Sequence, residues 1–228
     1  MKTIDRFLAR LAAVQLENVF NPYRDICPIH DHAESAQIRL QSLRAYLTLA
    51  VQQGVDSIWF GRDLGHRGGR RTGIALTDEK HLPLLAARLH TRGIRKATAS
   101  EMVIERTATV VWSMVEEIGQ LPFMWNAFPL HPHEAKAPLS NRSHTRGELS
   151  QIWSFNMELV DVLKPRHFVA IGNDAHVALA NAGLPCSYVR HPSYGGQADF
   201  VAGLRRIYSE HCAANRTGAL ASQLELID

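Results

Sequence analysis

The sequence predicts an α/β fold: a four-stranded, mostly parallel sheet with helices on both faces. Two observations carry that prediction. Four short apolar runs, 55–60, 121–128, 167–171 and 186–189, are separated by segments with helical periodicity, the alternation expected of βαβ units. Three of the runs lead into polar motifs, at Asp63, Asn126 and His191. In a parallel sheet the C-terminal strand ends all point the same way, and open α/β sheets place their ligands there. A chain of 228 residues is long enough for one such domain with a single core.

Taken in order, Lys2–Asn18 has apolar residues at Ile4, Phe7, Leu8, Leu11, Val14 and Leu16, an approximately helical spacing that Asn21-Pro22-Tyr23 ends. A loop with Cys27, His30 and His32 leads into a second helix, Ala33–Gln53, closed by Gly54. Residues 1–53 are thus a helical N-terminal segment of a single domain spanning 1–212. The first strand, Val55–Phe60, breaks into Gly61-Arg62-Asp63-Leu64-Gly65 and a loop rich in Arg and Gly that runs to Gly73. Asp78–Arg92 reads as a helix broken at Pro83, and Ser100 and Glu101 start a longer helix to Glu117, closed by Gly119. Leu121–Phe128 is the second strand, and Pro129–Arg142 a loop rich in Pro and His. Thr145–Leu163 is a helix, His167–Ile171 the third strand, Asp174–Ala182 a helix, Cys186–Val189 the fourth strand and Gln197–His211 the last helix. Residues 213–228 are expected to form a partly disordered tail.

The formal charge of +3 excludes a generically basic binder, yet Arg62, Arg67, Arg70 and Arg71 fall within ten positions. Such local clustering suits a polyanion better than the total suggests. Three cysteines, Cys27, Cys186 and Cys212, form no close pair in sequence and point to a reducing compartment. No signal peptide and no membrane-spanning run are expected, which makes a cytoplasmic monomer the default. Cys27, His30, His32, His131 and His133 fit no standard zinc-finger spacing, so no metal is expected.

Each polar motif taken singly has a bland reading. Asp63 can cap a helix or neutralise Arg62, Asn126 can pair with backbone, His191 can be a satisfied loop histidine, and the arginine loop can be a solvated face. Their joint occurrence at strand ends tips the balance toward a shared site. The three motifs, Gly61–Gly65, Asn126 in Trp125-Asn126-Ala127-Phe128-Pro129, and His191-Pro192-Ser193, resemble in kind, order and spacing those of the uracil-DNA glycosylase superfamily, from roughly Val55 to Tyr208. That resemblance implies a three-layer α/β/α sandwich. It also implies an enzyme that flips a nucleotide out of DNA and hydrolyses its N-glycosidic bond, without a cofactor.

The resemblance gives each residue a role. Asp63 would position a water and stabilise the cationic sugar, and His191 would donate a hydrogen bond to the departing base. Asn126 would read the Watson–Crick edge, with an amide able to serve uracil or cytosine. Arg67, Arg70, Arg71, Arg190 and Ser193 would hold DNA phosphates, His131 and His133 would line the DNA-facing loop, and Tyr194 would fill the vacated stack. With no lysine in a recognised motif, water and not an amine is the expected nucleophile.

The chain also departs from the pattern. Members closest in layout have Glu-Ala-Pro where this chain has Arg62-Asp63-Leu64, and the acid at Asp63 matches the uracil-specific branch. A stacking Phe is replaced by Leu76, a loss of roughly 1–3 kcal/mol of stacking unless Phe128 or Tyr194 supplies it. The Tyr that crowds pyrimidine C5 is replaced by Gly65. These changes enlarge the pocket and point to a bulky 5-substituted pyrimidine, such as the glucosylated 5-hydroxymethylcytosine of phage DNA removed in antiviral defence. Two other classes stay open: a non-catalytic sensor of modified DNA, and an enzyme acting on free nucleotides.

Overall fold

The computed structural model describes residues 2–224, with side chains as far as residue 210. The elements run α1 (Lys2–Ala13), β1 (Val19–Phe20), α2 (Ser35–Gln53), β2 (Ser57–Asp63), α3 (Gly69–Thr72), α4 (Leu82–Arg88) and α5 (Arg106–Ile118). They continue β3 (Phe123–Phe128), β4 (His131–Pro132), α6 (Arg146–Leu163), β5 (His167–Ile171), α7 (Asn173–Asn181), β6 (Ser187–Val189) and α8 (Gln197–Leu224).

The main sheet has the order β3-β2-β5-β6, and every pairing in it is parallel. The predicted sheet is therefore the observed one. The chain leaves β2 toward β3 on one side and returns to β5 on the other, so the strand order reverses between β2 and β5. The crevice above such a reversal is where doubly wound sheets bind ligands.

Period-two alternation along β2 decides which residues face which layer. Trp59 packs edge-on against Phe200 of α8 and donates its indole N–H to Tyr208 at 2.8 Å. Ser57, Trp59, Gly61 and Asp63 thus face the α5/α8 layer. Phe60 and Arg62 face the other layer, where Arg62 reaches Asp174 of α7. A single buried apolar cluster links Ile4 in α1 to Tyr208 in α8 through the sheet.

Local signals explain most of the helices. In α1 the buried residues Ile4, Phe7, Leu8 and Leu11 form one stripe. It ends at Ala13, earlier than its apolar pattern, because Asn21 Nδ2 donates to the carbonyls of Leu11 and Val14 and takes up the open end. Thr145 and Glu148 form a capping box at the start of α6. Gly119 closes α5 with φ 75° and donates its N–H to Val115 O.

Other boundaries move for tertiary reasons. The helix expected over 78–92 shrinks to α4, because Asp78 accepts hydrogen bonds from His81 and from the Glu105 N–H. The helix expected from Ser100 starts at Arg106, because Ser100, Glu101 and Val103 are held by hydrogen bonds to Arg71 and Glu79. The predicted C-terminal tail is instead a continuation of α8 as far as Leu224, and 225–228 lie outside the described residues. Cys27 and Cys186 are free, and Cys212 lies outside the described side chains.

One feature had no sequence signal. Val19–Phe20 pairs antiparallel with His131–Pro132, which ties the N-terminal segment to the loop after β3. Among the described residues no helix is long and apolar enough to cross a membrane.

Candidate active site

Strand β2 is central and buried over its first five residues, so it delivers Asp63 to the C-terminal edge in a fixed position. The Asp63 side chain is 7% exposed. Its Oδ2 accepts from Arg62 Nε at 2.8 Å and lies 3.5 Å from His144 Nδ1. Among the described residues no group donates to Oδ1. Arg62 also reaches Asp174 Oδ2 at 3.3 Å, which ties the acid to the start of α7. The His144 ring stacks on Phe128 at 5.1 Å.

Asn126 lies on β3 in register with Gly61. It is 2% exposed, and its Oδ1 accepts no hydrogen bond among the described residues. A Cβ on Gly61 would overlap that oxygen and would stand 3.2 Å from Leu76 Cδ2. Any side chain at position 61 would displace the amide. Leu76 itself sits at φ 55°, a left-handed conformation costly for a non-glycine residue. Thr72 Oγ1 holds the segment there by donating to Thr77 O at 2.8 Å.

His191 follows β6. Its Nδ1 accepts from the Ser193 backbone N–H at 3.2 Å and lies 2.7 Å from Ser193 Oγ. Because Nδ1 is the acceptor, the ring proton of the neutral form belongs on Nε2. Burial, with help from the Arg62 charge and against the pull of Asp63, keeps its pKa below the ordinary histidine value. The imidazole is therefore neutral at pH 7. Gly172, at the end of β5 with φ 87°, lets the ring approach, since a Cβ there would stand 3.2 Å from His191 Cβ. The structure thus gathers Asp63, Asn126, Leu76 and His191 at one edge, around the strand-order reversal.

The arginine loop behaves differently, and here the expectation is corrected. Arg70 and Arg71 are 4% and 3% exposed and do not face a ligand. The single turn of α3 rotates both inward. Arg70 donates to His131 Nδ1 and Pro138 O and lies 3.7 Å above the Phe20 ring. Arg71 pairs with Glu79 at 2.9 Å and donates to Ser100 Oγ and Glu101 O. Both guanidinium groups are thus held by the fold. His131 is buried as well, with its pKa pushed down to about 3 by burial and the Arg70 charge, so it does not line a DNA-facing loop. Arg67 remains exposed, and Arg190 is exposed and paired with Asp199 at 2.8 Å. Ser193 Oγ is occupied by His191. Tyr194 is 98% exposed at φ 50°.

Two residues escaped sequence reasoning. His144 carried a usable signal: the capping box at Thr145 fixes where α6 starts, so the residue before it must lie at the strand ends. Glu105 carried none. Its carboxyl fills the space beside Gly65, with Oε1 standing 2.7 Å from where a Cβ on that glycine would be, and it would also collide with a Cβ on Gly68. The room expected at Gly65 is therefore walled by an acid. Burial, and then the Asp78 charge, push the Glu105 pKa up to about 7, against the pull of Arg67.

No protein-family model matches the sequence, and no curated protein matches it. Solved structures do. The crystal structure of wild-type Pedobacter heparinus SMUG2 is similar with a TM-score of 0.59, at 13% identity, over 94% of this chain and 98% of that chain. At that identity the likeness is one of fold, and it extends over nearly the whole of both chains. The three-layer α/β/α architecture implied by the motifs is thus the architecture this chain has.

Proposed function

We propose that this chain is a monofunctional DNA glycosylase. It would hold a pyrimidine nucleotide swung out of the helix and hydrolyse the C1′–N1 bond, leaving an abasic site. The observation that carries this reading is the buried Asn126 Oδ1. A buried polar atom left without a partner costs about 1–3 kcal/mol, and such atoms call for an explanation. A base that presents a donor to it removes the cost, and the same base lies beside an acid and a neutral imidazole.

Breaking the bond builds positive charge on the sugar and negative charge on the base. Asp63, with Oδ1 open, orients a water and stabilises the cationic sugar. The water oxygen bonds to C1′ and the C1′–N1 electron pair leaves with the base. Nε2–H of neutral His191 donates to pyrimidine O2 as that oxygen gains charge, and the proton lost by the water ends on the released base. Arg67 and Arg190 contact the flanking phosphates, Ser193 holds the His191 ring, and the exposed Tyr194 fills the gap in the stack.

The substrate we favour is a pyrimidine with a bulky 5-substituent, for example glucosylated 5-hydroxymethylcytosine in phage DNA, over uracil alone. Leu76, smaller than the aromatic residue it replaces, supports that choice, and the wall beside Gly65 is the Glu105 carboxyl and not an aromatic ring. Such an enzyme would act as a cytoplasmic monomer in antiviral defence. The test is base-release analysis by mass spectrometry on duplexes bearing uracil, cytosine and the glucosylated base. Release of the glucosylated base is expected. Release of uracil alone would return the protein to base-excision repair, and binding without release would make it a sensor.

A further inference from the structure

Resting on that reading, we propose that Glu105 selects the group at pyrimidine C5 and that it takes a substituent bearing hydroxyl groups. The placement of the side chain comes first. Asp78 Oδ2 accepts from the Glu105 N–H at 2.6 Å and pins its backbone. Asp78 lies two residues beyond Leu76, which borders the Asn126 amide across Gly61. From that anchor the side chain turns back over Gly65, two residues after Asp63, and over Gly68. The two glycines form a seat that a Cβ at either position would close.

Its lack of partners comes second. Other acids with restricted exposure are served by the protein: the buried Glu79 accepts from Arg71, Thr98 and the Val103 N–H, and the half-buried Glu148 from Arg142 and Thr145. Among the described residues no group donates to the Glu105 carboxyl. Arg67 and Asp78 act on that carboxyl only through space. The Glu105 side chain is half-buried, and a partly desolvated carboxyl that no protein group serves gains from a donor arriving with a ligand.

The chemistry of the partner follows. A methyl group at C5 would leave the carboxyl unpaired, and an ammonium would meet the Arg67 charge. A hydroxyl both donates and accepts. It suits a carboxyl that burial holds near its titration point at neutral pH.

The experiment compares two duplexes, one with a single glucosylated 5-hydroxymethylcytosine and one with a single uracil. Wild type, Glu105→Ala and Gly68→Ala are each assayed for kcat/KM, with Tm as a check on folding. The ratio of glucosylated to uracil turnover is expected to fall by about tenfold or more in Glu105→Ala, the scale of one hydrogen bond to a charged group. Gly68→Ala, which displaces the carboxyl, should give a similar fall and add nothing in the Glu105→Ala background. A ratio unchanged from wild type in a folded variant, or equal losses on both duplexes, would overturn the assignment. If wild type releases neither base, the glycosylase reading fails on its own. Binding affinities for the same duplexes then decide: a preference for the glucosylated duplex that Glu105→Ala abolishes sustains the selector role, and its absence ends it.

Discussion

Two arginine–carboxylate pairs lie a few residues apart in this chain and serve opposite ends. Arg71 and Glu79 are sealed in the interior, where they pair with each other and bond to Thr98, Ser100, Glu101 and Val103. Arg62 and Asp63 sit at the strand-end crevice, and one carboxylate oxygen stays open. The first pair welds the 69–105 region into a unit. The second keeps a charge oriented but available. A salt bridge becomes a reactive feature only where the protein stops short of satisfying it.

Substitution separates the two pairs. The largest effect on activity is expected at Asp63: Asp63→Ala should slow base release by about 10²–10⁴-fold while Tm barely moves. Arg71→Ala should do the reverse, destabilising the fold by about 3–5 kcal/mol in denaturant titration, because Glu79 is left charged and unpaired. A comparable loss of stability from both would erase the distinction.

Asn126→Ala is expected to reduce release by about tenfold to a hundredfold and to cost little stability, since no hydrogen bond of Oδ1 is lost. A large fall in Tm would show that the amide is structural. Glu105→Gln probes the pocket wall from the stability side. The folded-state pKa of Glu105, about 7, lies above its ordinary value of 4.5. Full stability is therefore present below the lower value and is lost as pH rises toward the upper one. The Tm advantage of Glu105→Gln over wild type should grow between pH 4.5 and 8, and a constant difference would contradict the shift. For His191, ¹⁵N NMR should show the Nε2–H tautomer and a midpoint below 6.5. The smallest effects are expected at Arg67 and Arg190. Their alanine variants should each weaken DNA binding for all sequences and lower the salt slope by about one.

The sheet was legible because its four apolar runs alternate with helical periodicity, and Asp63, Asn126 and His191 because each follows such a run. Strand and helix periods are local properties. What stayed hidden depends on long-range partners. Arg67 and Arg70 look alike on the page, yet a single helical turn aims one outward and buries the other against Phe20 and His131. Glu105 gave no warning, because its importance comes from two glycines some forty residues earlier. Leu76 looks like ordinary core in sequence, and only its left-handed backbone reveals that it is braced.

The short antiparallel pairing of Val19–Phe20 with His131–Pro132 bears on how the chain can be trimmed. Phe20 also lies under Arg70, Asn18 O accepts from His133 N–H and Arg142, and Tyr23 OH donates to Gly73 O. The opening two dozen residues therefore work as a buckle across the loops that flank the crevice. A shortened version lacking them would keep every residue assigned to chemistry and still lose the frame that aligns those residues.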